Sequence, residues 1–319
     1  VEFGEGKDIL GCVCHLDVVP ADDEEFELKQ IDNSFFGRGI IDDKGPACAA
    51  FFAMQELKNE GFTPNKRIRL ILGTDEEVSC DCVETYSKYE EIPSFAITPD
   101  AEFPVVFAEK GILQIRIYSN HNSSGLLVKG GSAPNAVPAS AVAVFEGKTI
   151  EALGKTAHAS KPQLGINAIS LLPSVLTKAG VDYSKSSLLN FINDYCKQAD
   201  CEKLTNCNTC DESGRITFNP GMIDIDKANA SLVIDIRYPV TASYDSICEA
   251  IKKAVAKYDL SMNVCNHMPP ICKAKDSEEI RILTDIWKKH MSAFDGFEEQ
   301  YTSQYTEPVA IGGGTYARH

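Results

Sequence analysis

The chain has 319 residues and a formal net charge of −15. This acidic balance argues against nucleic acid or an anionic membrane surface as a partner, because their phosphates would be repelled. With 44% hydrophobic and 24% charged residues, the composition is that of a soluble globular protein, and no apolar stretch approaches the roughly 20 residues of a membrane span. Twelve cysteines in a long chain without a signal peptide predict reduced thiols and a cytoplasmic location.

The first third of the chain alternates predicted strands with predicted helices. Apolar runs predict strands over 9–19, 67–73 and 95–98. Residues 47–59, which contain no Gly or Pro, and residues 83–89 predict the helices between them. Apolar strands that alternate with helices indicate βαβ units and a mainly parallel sheet.

Beyond residue 100 the pattern indicates a second domain of α+β type. Alternating apolar and polar residues predict half-solvated antiparallel strands at 111–118, 149–153 and 231–238. Helical stretches are predicted around 139–144 and 167–179. We therefore expect an α/β protein in which a mainly parallel-sheet catalytic domain (1–107 and 275–319) carries an inserted α+β lid domain (108–274).

Candidate ligands gather at the carboxyl ends of the predicted strands, where parallel sheets bind ligands. His15 and Asp17 end the first strand, Glu76 and Glu77 follow the second, and Asp100 follows the third. Imidazole and carboxylate donors without thiolate are typical of Zn²⁺, Mn²⁺ or Co²⁺ in a hydrolytic site. The alternative is that each acid is a solvated loop residue, since 46 of the 319 residues are Asp or Glu.

The complete set of candidate ligands is His15, Asp42, Glu77, Asp100 and His319. A catalytic zinc usually has three protein ligands and an open position, so two metals bridged by one carboxylate would use all five. Asp17 and Glu76 are then left over. Asp17 is placed to hold the neighbouring histidine in one tautomer, and Glu76 to take a proton from the attacking water.

Eight motifs, spread over nearly the whole chain, resemble those of the M20 family of metallopeptidases and, within it, the PepV-like dipeptidases (relatives of Xaa-His dipeptidase and Sapep). They are His15–Pro20, Gly37–Gly39 with Asp42–Pro46, Thr74–Glu77, Thr98–Pro104, Asn135–Pro138, Gly154–Ser160, Asp235–Pro239 and Gly312–Arg318. Both ends look cut relative to that family, so we expect a fragment.

The resemblance implies a dinuclear zinc site, with Mn²⁺ or Co²⁺ as alternatives. Asp42 would bridge the metals, His15 and Asp100 would complete one, and Glu77 and His319 the other. The peptide bond that follows Asp42 matches the position of a cis bond in the family.

Roles beyond the metals are implied in the same way. Glu76 matches the general base and Asp17 the partner of the histidine ligand. In the lid, His158 matches the residue that stabilises the oxyanion, and Asn135 and Arg237 match residues that hold the substrate. The residues alone favour the alternatives, a loop histidine at His158 and a surface arginine at Arg237 paired with Asp235.

The function that the resemblance implies is hydrolysis of unblocked dipeptides by a monomer, through a water that bridges the two metals. An N-acyl amino acid deacylase of the same family is the nearest alternative. A single-metal or aminopeptidase-like enzyme acting on longer peptides is another. A non-catalytic binding protein on this scaffold is a third, and loss of a ligand or of Glu76 would mark it, but all are present.

Overall fold

The computed structural model describes residues 1–78, 80–101, 103–197, 202–291 and 306–318. In it, the N-terminal part of the chain forms a small sheet with helices. The strands are β1 (Glu2–Phe3), β2 (Ile9–His15), β3 (Lys29–Ile31), β4 (Ser34–Phe36), β5 (Arg67–Gly73) and β6 (Phe95–Ile97). The helices are α1 (Gly45–Asn59) and α2 (Asp81–Tyr89). The sheet order is β1-β5-β2-β6, and β2 runs parallel to both β5 and β6. The predicted mainly parallel sheet is confirmed.

Strand β2 is shorter than predicted. It ends at His15 rather than Val19, because its pairing with β5 ends where His15 lies opposite Gly73. The chain then leaves the sheet, after Leu16 has donated one last hydrogen bond to the Gly73 carbonyl at 2.9 Å. This early end places the histidine at the carboxyl edge of the sheet, where the next loops begin.

The remaining strands and helices form a larger, mostly antiparallel assembly. The strands are β7 (Val106–Glu109), β8 (Gly111–Ser119), β9 (Leu127–Gly130), β10 (Ser140–Phe145), β11 (Lys148–Leu153), β12 (Cys210–Asp211), β13 (Gly214–Arg215), β14 (Thr217–Ile225), β15 (Ala230–Tyr238), β16 (Ser261–Met268), β17 (Ile271–Cys272) and β18 (Val309–Ile311). The helices are α3 (Ala168–Lys178), α4 (Ser187–Tyr195), α5 (Glu202–Thr205), α6 (Tyr244–Ala256) and α7 (Glu278–His290). Seven strands form one antiparallel sheet in the order β11-β10-β9-β14-β15-β8-β16.

The core of this sheet lies under helices that begin at well-defined caps. The side chains of Asn167, Ser186 and Ser243 accept the N–H groups that open α3, α4 and α6. Leu113, Ile115 and Ile117, alternate residues of β8, are fully buried in one apolar cluster with residues of these helices. One face of the sheet is thereby covered, as the predicted alternation requires.

The predicted helix at 139–144 is wrong, because this segment forms strand β10. Ala141 and Ala143 are buried while Val142 and Val144 are half-buried, which is the period of a strand. Alanine favours helices, but β10 lies between β9 and β11 and is paired on both sides. Sheet pairing outweighs the small local preference.

The described chain separates into two units. The first contains Val1–Phe103 and the short stretch that begins at Thr315, and the second contains Pro104–Gly314. Strand β18 belongs to the second unit because it pairs in parallel with β7. These units divide the chain differently from the predicted limits of 1–107, 108–274 and 275–319, which stay a prediction about the domains. Among the described residues, no helix has the length and apolar character to cross a membrane.

Candidate active site

His15 is fully buried at the end of β2, and its neighbours orient its ring. Its Nδ1 lies 2.9 Å from the backbone carbonyl oxygen of Asp17, which can only accept, so Nδ1–H donates. In the neutral ring the lone pair is then at Nε2, the atom that can bind a metal. Nε2 lies 2.7 Å from Oδ1 of Asp42 and 3.8 Å from Oδ1 of Asp100.

The carboxylate of Asp17 holds the loop that carries the two glutamates. Its Oδ1 accepts the backbone N–H of Glu76 at 3.2 Å, and its Oδ2 accepts that of Glu77 at 3.0 Å. Oδ1 is also 3.5 Å from Nδ1 of His15. Asp17 therefore orients His15 mainly through its carbonyl oxygen, while its side chain connects the ends of β2 and β5.

Two consecutive aspartates precede α1, in the turn Ile40–Lys44, and the peptide bond between them is cis. The side chain of Asp42 is 63% exposed, whereas Asp43 is fully buried. Oδ2 of Asp43 accepts the backbone N–H of His15 at 3.1 Å, and its Oδ1 has no hydrogen-bond partner among the described residues. Asp43 was not predicted as a site residue, although the doubled acid just before the helix is a signal for it.

These side chains form two groups of potential metal ligands that share His15. One is His15, Asp43 and Asp100, the other His15, Asp42 and Glu77, and the ligand atoms within each group lie within 4.8 Å of one another. Four of the five predicted ligands thus come together in the first unit. The fifth, His319, lies outside the described residues.

The site concentrates negative charge, which shifts its pKa values. Burial and the charge of Asp100 raise the pKa of Glu76 to about 8. Burial and the charge of Asp43 raise the pKa of Asp100 to about 7, and burial is also the main cause of the raised pKa of Glu77. For His15, burial lowers the pKa, but Asp100 and the other acids outweigh it and the net pKa is raised. A cation would relieve this repulsion.

In the second unit, Asn135 and His158 lie on neighbouring segments of the chain. Ala136 and His158 form an isolated β-bridge, and the N–H of Ala159 donates to the carbonyl of Asn135 at 2.8 Å. The fully buried Asn219 of β14 donates to the carbonyls on both sides of Asn135. Asn219 was not predicted, because nothing in its local sequence marks it.

Arg237 is buried at the end of β15, not a surface residue. Its Nε and Nη2 donate to the carboxylate of Asp235 at 2.6 and 3.2 Å, and Gln114 donates to the same carboxylate at 2.9 Å. Its Nη1 donates to the carbonyl of Gly313 at 3.2 Å. The pairing with Asp235 holds the guanidinium in one orientation.

Comparisons with known proteins agree with this architecture. Over 363 aligned residues the chain is 30% identical to a protein of Staphylococcus aureus (strain USA300) named "Putative dipeptidase", with 100% of this chain and 75% of that protein covered. Its fold is similar to that of the aminoacylhistidine dipeptidase from Vibrio alginolyticus, with a TM-score of 0.56, 12% identity and coverage of 98% and 75%. The M20 family metallo-carboxypeptidase Sso-CP2 from Sulfolobus solfataricus gives a TM-score of 0.54, 17% identity and coverage of 100% and 75%. Residues 12–294 match the model of peptidase family M20/M25/M40, so the chain belongs to this family of peptidases and is a peptide-bond hydrolase.

Proposed function

We propose that the chain is a zinc-dependent dipeptidase that cleaves unblocked dipeptides. The observation that carries the proposal is the clustering of His15, Asp42, Glu77 and Asp100 at the carboxyl edge of one parallel sheet, with Glu76 beside them. Its similarity to a Staphylococcus aureus protein named as a dipeptidase supports this substrate class. A monomeric, cytoplasmic enzyme remains the prediction from the sequence.

The residues present fit a pair of zinc ions. Imidazole and carboxylate donors without thiolate are the ligands of catalytic zinc, and Mn²⁺ or Co²⁺ accepts the same set. Asp42 would bridge, with His15 and Asp100 on one side and Glu77 and His319 on the other. The buried Oδ1 of Asp43, which lacks a hydrogen-bond partner among the described residues, adds a further negative oxygen. When bound, the metals would supply a Lewis acid and favour ionisation of water near neutral pH.

Glu76 is the proposed general base. Burial and the charge of Asp100 raise its pKa, and such an environment strengthens a carboxylate as a proton acceptor. Glu76 takes a proton from the attacking water and passes it to the amine nitrogen that leaves. Asp17 is proposed to keep this glutamate in place through the hydrogen bond to its backbone N–H, at 3.2 Å.

The second unit supplies the proposed contacts to the substrate. His158 donates a hydrogen bond to the oxyanion that forms on the scissile carbonyl. Asn135 and Arg237 hold the remainder of the dipeptide. Because Asp235 occupies the Nε edge of the guanidinium, a substrate carboxylate would meet the edge formed by Nη1 and Nη2.

Hydrolysis assays on the metal-stripped and zinc-restored protein test the proposal. The panel compares free dipeptides, the matching N-acetyl amino acids and tripeptides. Zinc-restored cleavage of the dipeptides alone is the expected result. A preference for N-acetyl amino acids would indicate a deacylase that uses the same site. A preference for tripeptides would indicate a peptidase for longer substrates. No turnover with metal bound would favour a binding protein.

A further inference from the structure

We propose that Ser160 is a positioning residue that holds His158 in the neutral tautomer with its proton on Nε2. The inference rests on the proposed function, in which His158 donates a hydrogen bond to the oxyanion. It adds the reason why this ring has a proton to donate. A neutral histidine protonated at Nδ1 would instead present a lone pair at Nε2, which repels an oxyanion.

Two donors of Ser160 meet the same ring nitrogen. The backbone N–H of Ser160 donates to Nδ1 of His158 at 3.2 Å. A backbone N–H can only donate, so Nδ1 must accept and carries no proton. The hydroxyl Oγ of Ser160 lies 2.7 Å from the same Nδ1, and the hydroxyl therefore donates as well. Since a neutral imidazole carries one proton, that proton is on Nε2.

The backbone around the pair holds this geometry. The β-bridge between Ala136 and His158 fixes the strand side, and the N–H of Lys161 donates to the His158 carbonyl at 3.0 Å, which closes a turn over Ser160. Gly312 leaves room for the serine, because a Cβ at Gly312 would lie 2.6 Å from the Cβ of Ser160. The position of Ser160 thus depends on a glycine about 150 residues away along the chain.

The surrounding charges also favour the neutral ring. His158 is exposed as a residue, but the protein atoms around its ring remove part of the hydration of the ring. This desolvation is the main cause of its lowered pKa, and the charge of Arg237 is the second. Lys161 acts in the same direction, and only Asp235, itself paired with Arg237, opposes them. Protonation would also set Nδ1–H against the N–H of Ser160. Geometry and charge therefore both select a neutral ring with Nε2–H.

The test is the tautomer and the pKa of His158, read by ¹⁵N NMR on histidine-labelled, metal-free protein. The chain has six histidines, and a His158→Gln variant assigns the resonance. The spectrum of the parent protein should show that the neutral ring of His158 carries its proton on Nε2. In Ser160→Ala the ring loses a donor to its neutral form, so its pKa should rise by about half a pH unit. Ser160→Thr keeps the hydroxyl and should restore the original value.

Activity gives a second, independent readout. Ser160→Ala should lower kcat on dipeptides about three- to tenfold with little change in KM, because the lost contact matters most in the transition state. A wild-type ring protonated at Nδ1, a mixture of tautomers, or an unchanged or lowered pKa in Ser160→Ala would overturn the proposal. Since the NMR needs neither metal nor substrate, an expected spectrum without dipeptide turnover would refute the proposed function while leaving the role of Ser160 on the ring intact.

Discussion

Asn219 holds Asn135 from both sides, because its amide nitrogen donates to the carbonyl of Pro134 at 2.9 Å and to that of Ala136 at 2.8 Å. Its own oxygen accepts the amide N–H of Asn167, the N-cap of α3, at 2.8 Å. Two side-chain amides therefore connect the start of a helix to the backbone on both sides of a proposed substrate-binding residue. The connection is fully buried at Asn219, so water cannot replace its bonds.

Asn219→Ala should therefore weaken substrate binding and the fold together. Two carbonyls lose this donor and the amide of Asn167 keeps only its bond to the carbonyl of Pro220, which predicts a loss of about 2–4 kcal/mol in the free energy of unfolding. KM for dipeptides should rise more than kcat falls, since Asn135 is proposed to bind rather than to react. Denaturant unfolding and steady-state kinetics measure both. Asn263→Ala, at an exposed position of β16, is the matched control, and equal behaviour of the two variants would contradict the role of Asn219.

Glu76→Gln should abolish most turnover and leave metal binding in place. The amide cannot take a proton, and loss of a general base typically costs about 10²- to 10⁴-fold in kcat. The measurement is kcat on the preferred dipeptide, together with the zinc content of the purified variant. Glu84→Gln, an exposed position of α2, controls for the change of charge. Full turnover in Glu76→Gln would remove the general-base assignment.

Asp42→Asn should reduce the number of bound zinc ions or their affinity. An amide is a poorer zinc ligand than a carboxylate, and the proposed bridge serves both ions. Zinc titration by calorimetry, with Asp285→Asn on the exposed side of α7 as control, measures the effect. If the variant binds two zinc ions with the affinity of the parent chain, Asp42 is not a bridging ligand.

The metal-free protein should lose stability as the pH rises from about 4 through 8. Burial raises the pKa of Asp43 to about 6. Burial together with nearby acids raises the pKa of Asp100 to about 7 and that of Glu76 to about 8. The folded state thus binds more protons than the unfolded chain in this range, and its free energy of unfolding falls with pH. Thermal unfolding in chelator should show this fall, and Glu76→Gln should reduce it. A difference between parent and variant that does not depend on pH would contradict the prediction.

Zinc should reverse this pH dependence. Because metals bind the deprotonated carboxylates and the neutral imidazole, binding should release protons at pH 6 to 7. Calorimetry in two buffers of different ionisation enthalpy counts the released protons. The increase in Tm on addition of zinc should then be largest at the alkaline end of the range, where the acids carry most charge. An equal gain in Tm at every pH would indicate that zinc binds elsewhere.

The parallel sheet and the gathering of most candidate ligands at its edge could be predicted from the sequence. In a parallel sheet the carboxyl ends of neighbouring strands meet at one edge, so His15, Glu77 and Asp100 could be expected together from their positions after apolar runs. The sheet order and the separations in the structure agree with that expectation. The order of the motifs predicted the family, and the match to the family model over residues 12–294 confirmed it.

Contacts between segments that are distant in the sequence could not be predicted and are known from the folded structure. Asn219 and Asn135 are 84 positions apart in the sequence, and no local pattern shows that one amide meets the carbonyls around the other. The burial of Asp43 and the double donation of Ser160 to His158 likewise depend on backbone geometry. The extended form of β10 also depends on distant parts of the chain, because pairing with two neighbouring strands outweighs the helical preference of its alanines. Local preferences are worth fractions of a kcal/mol per residue, whereas packing and buried hydrogen bonds are felt only once the chain has folded.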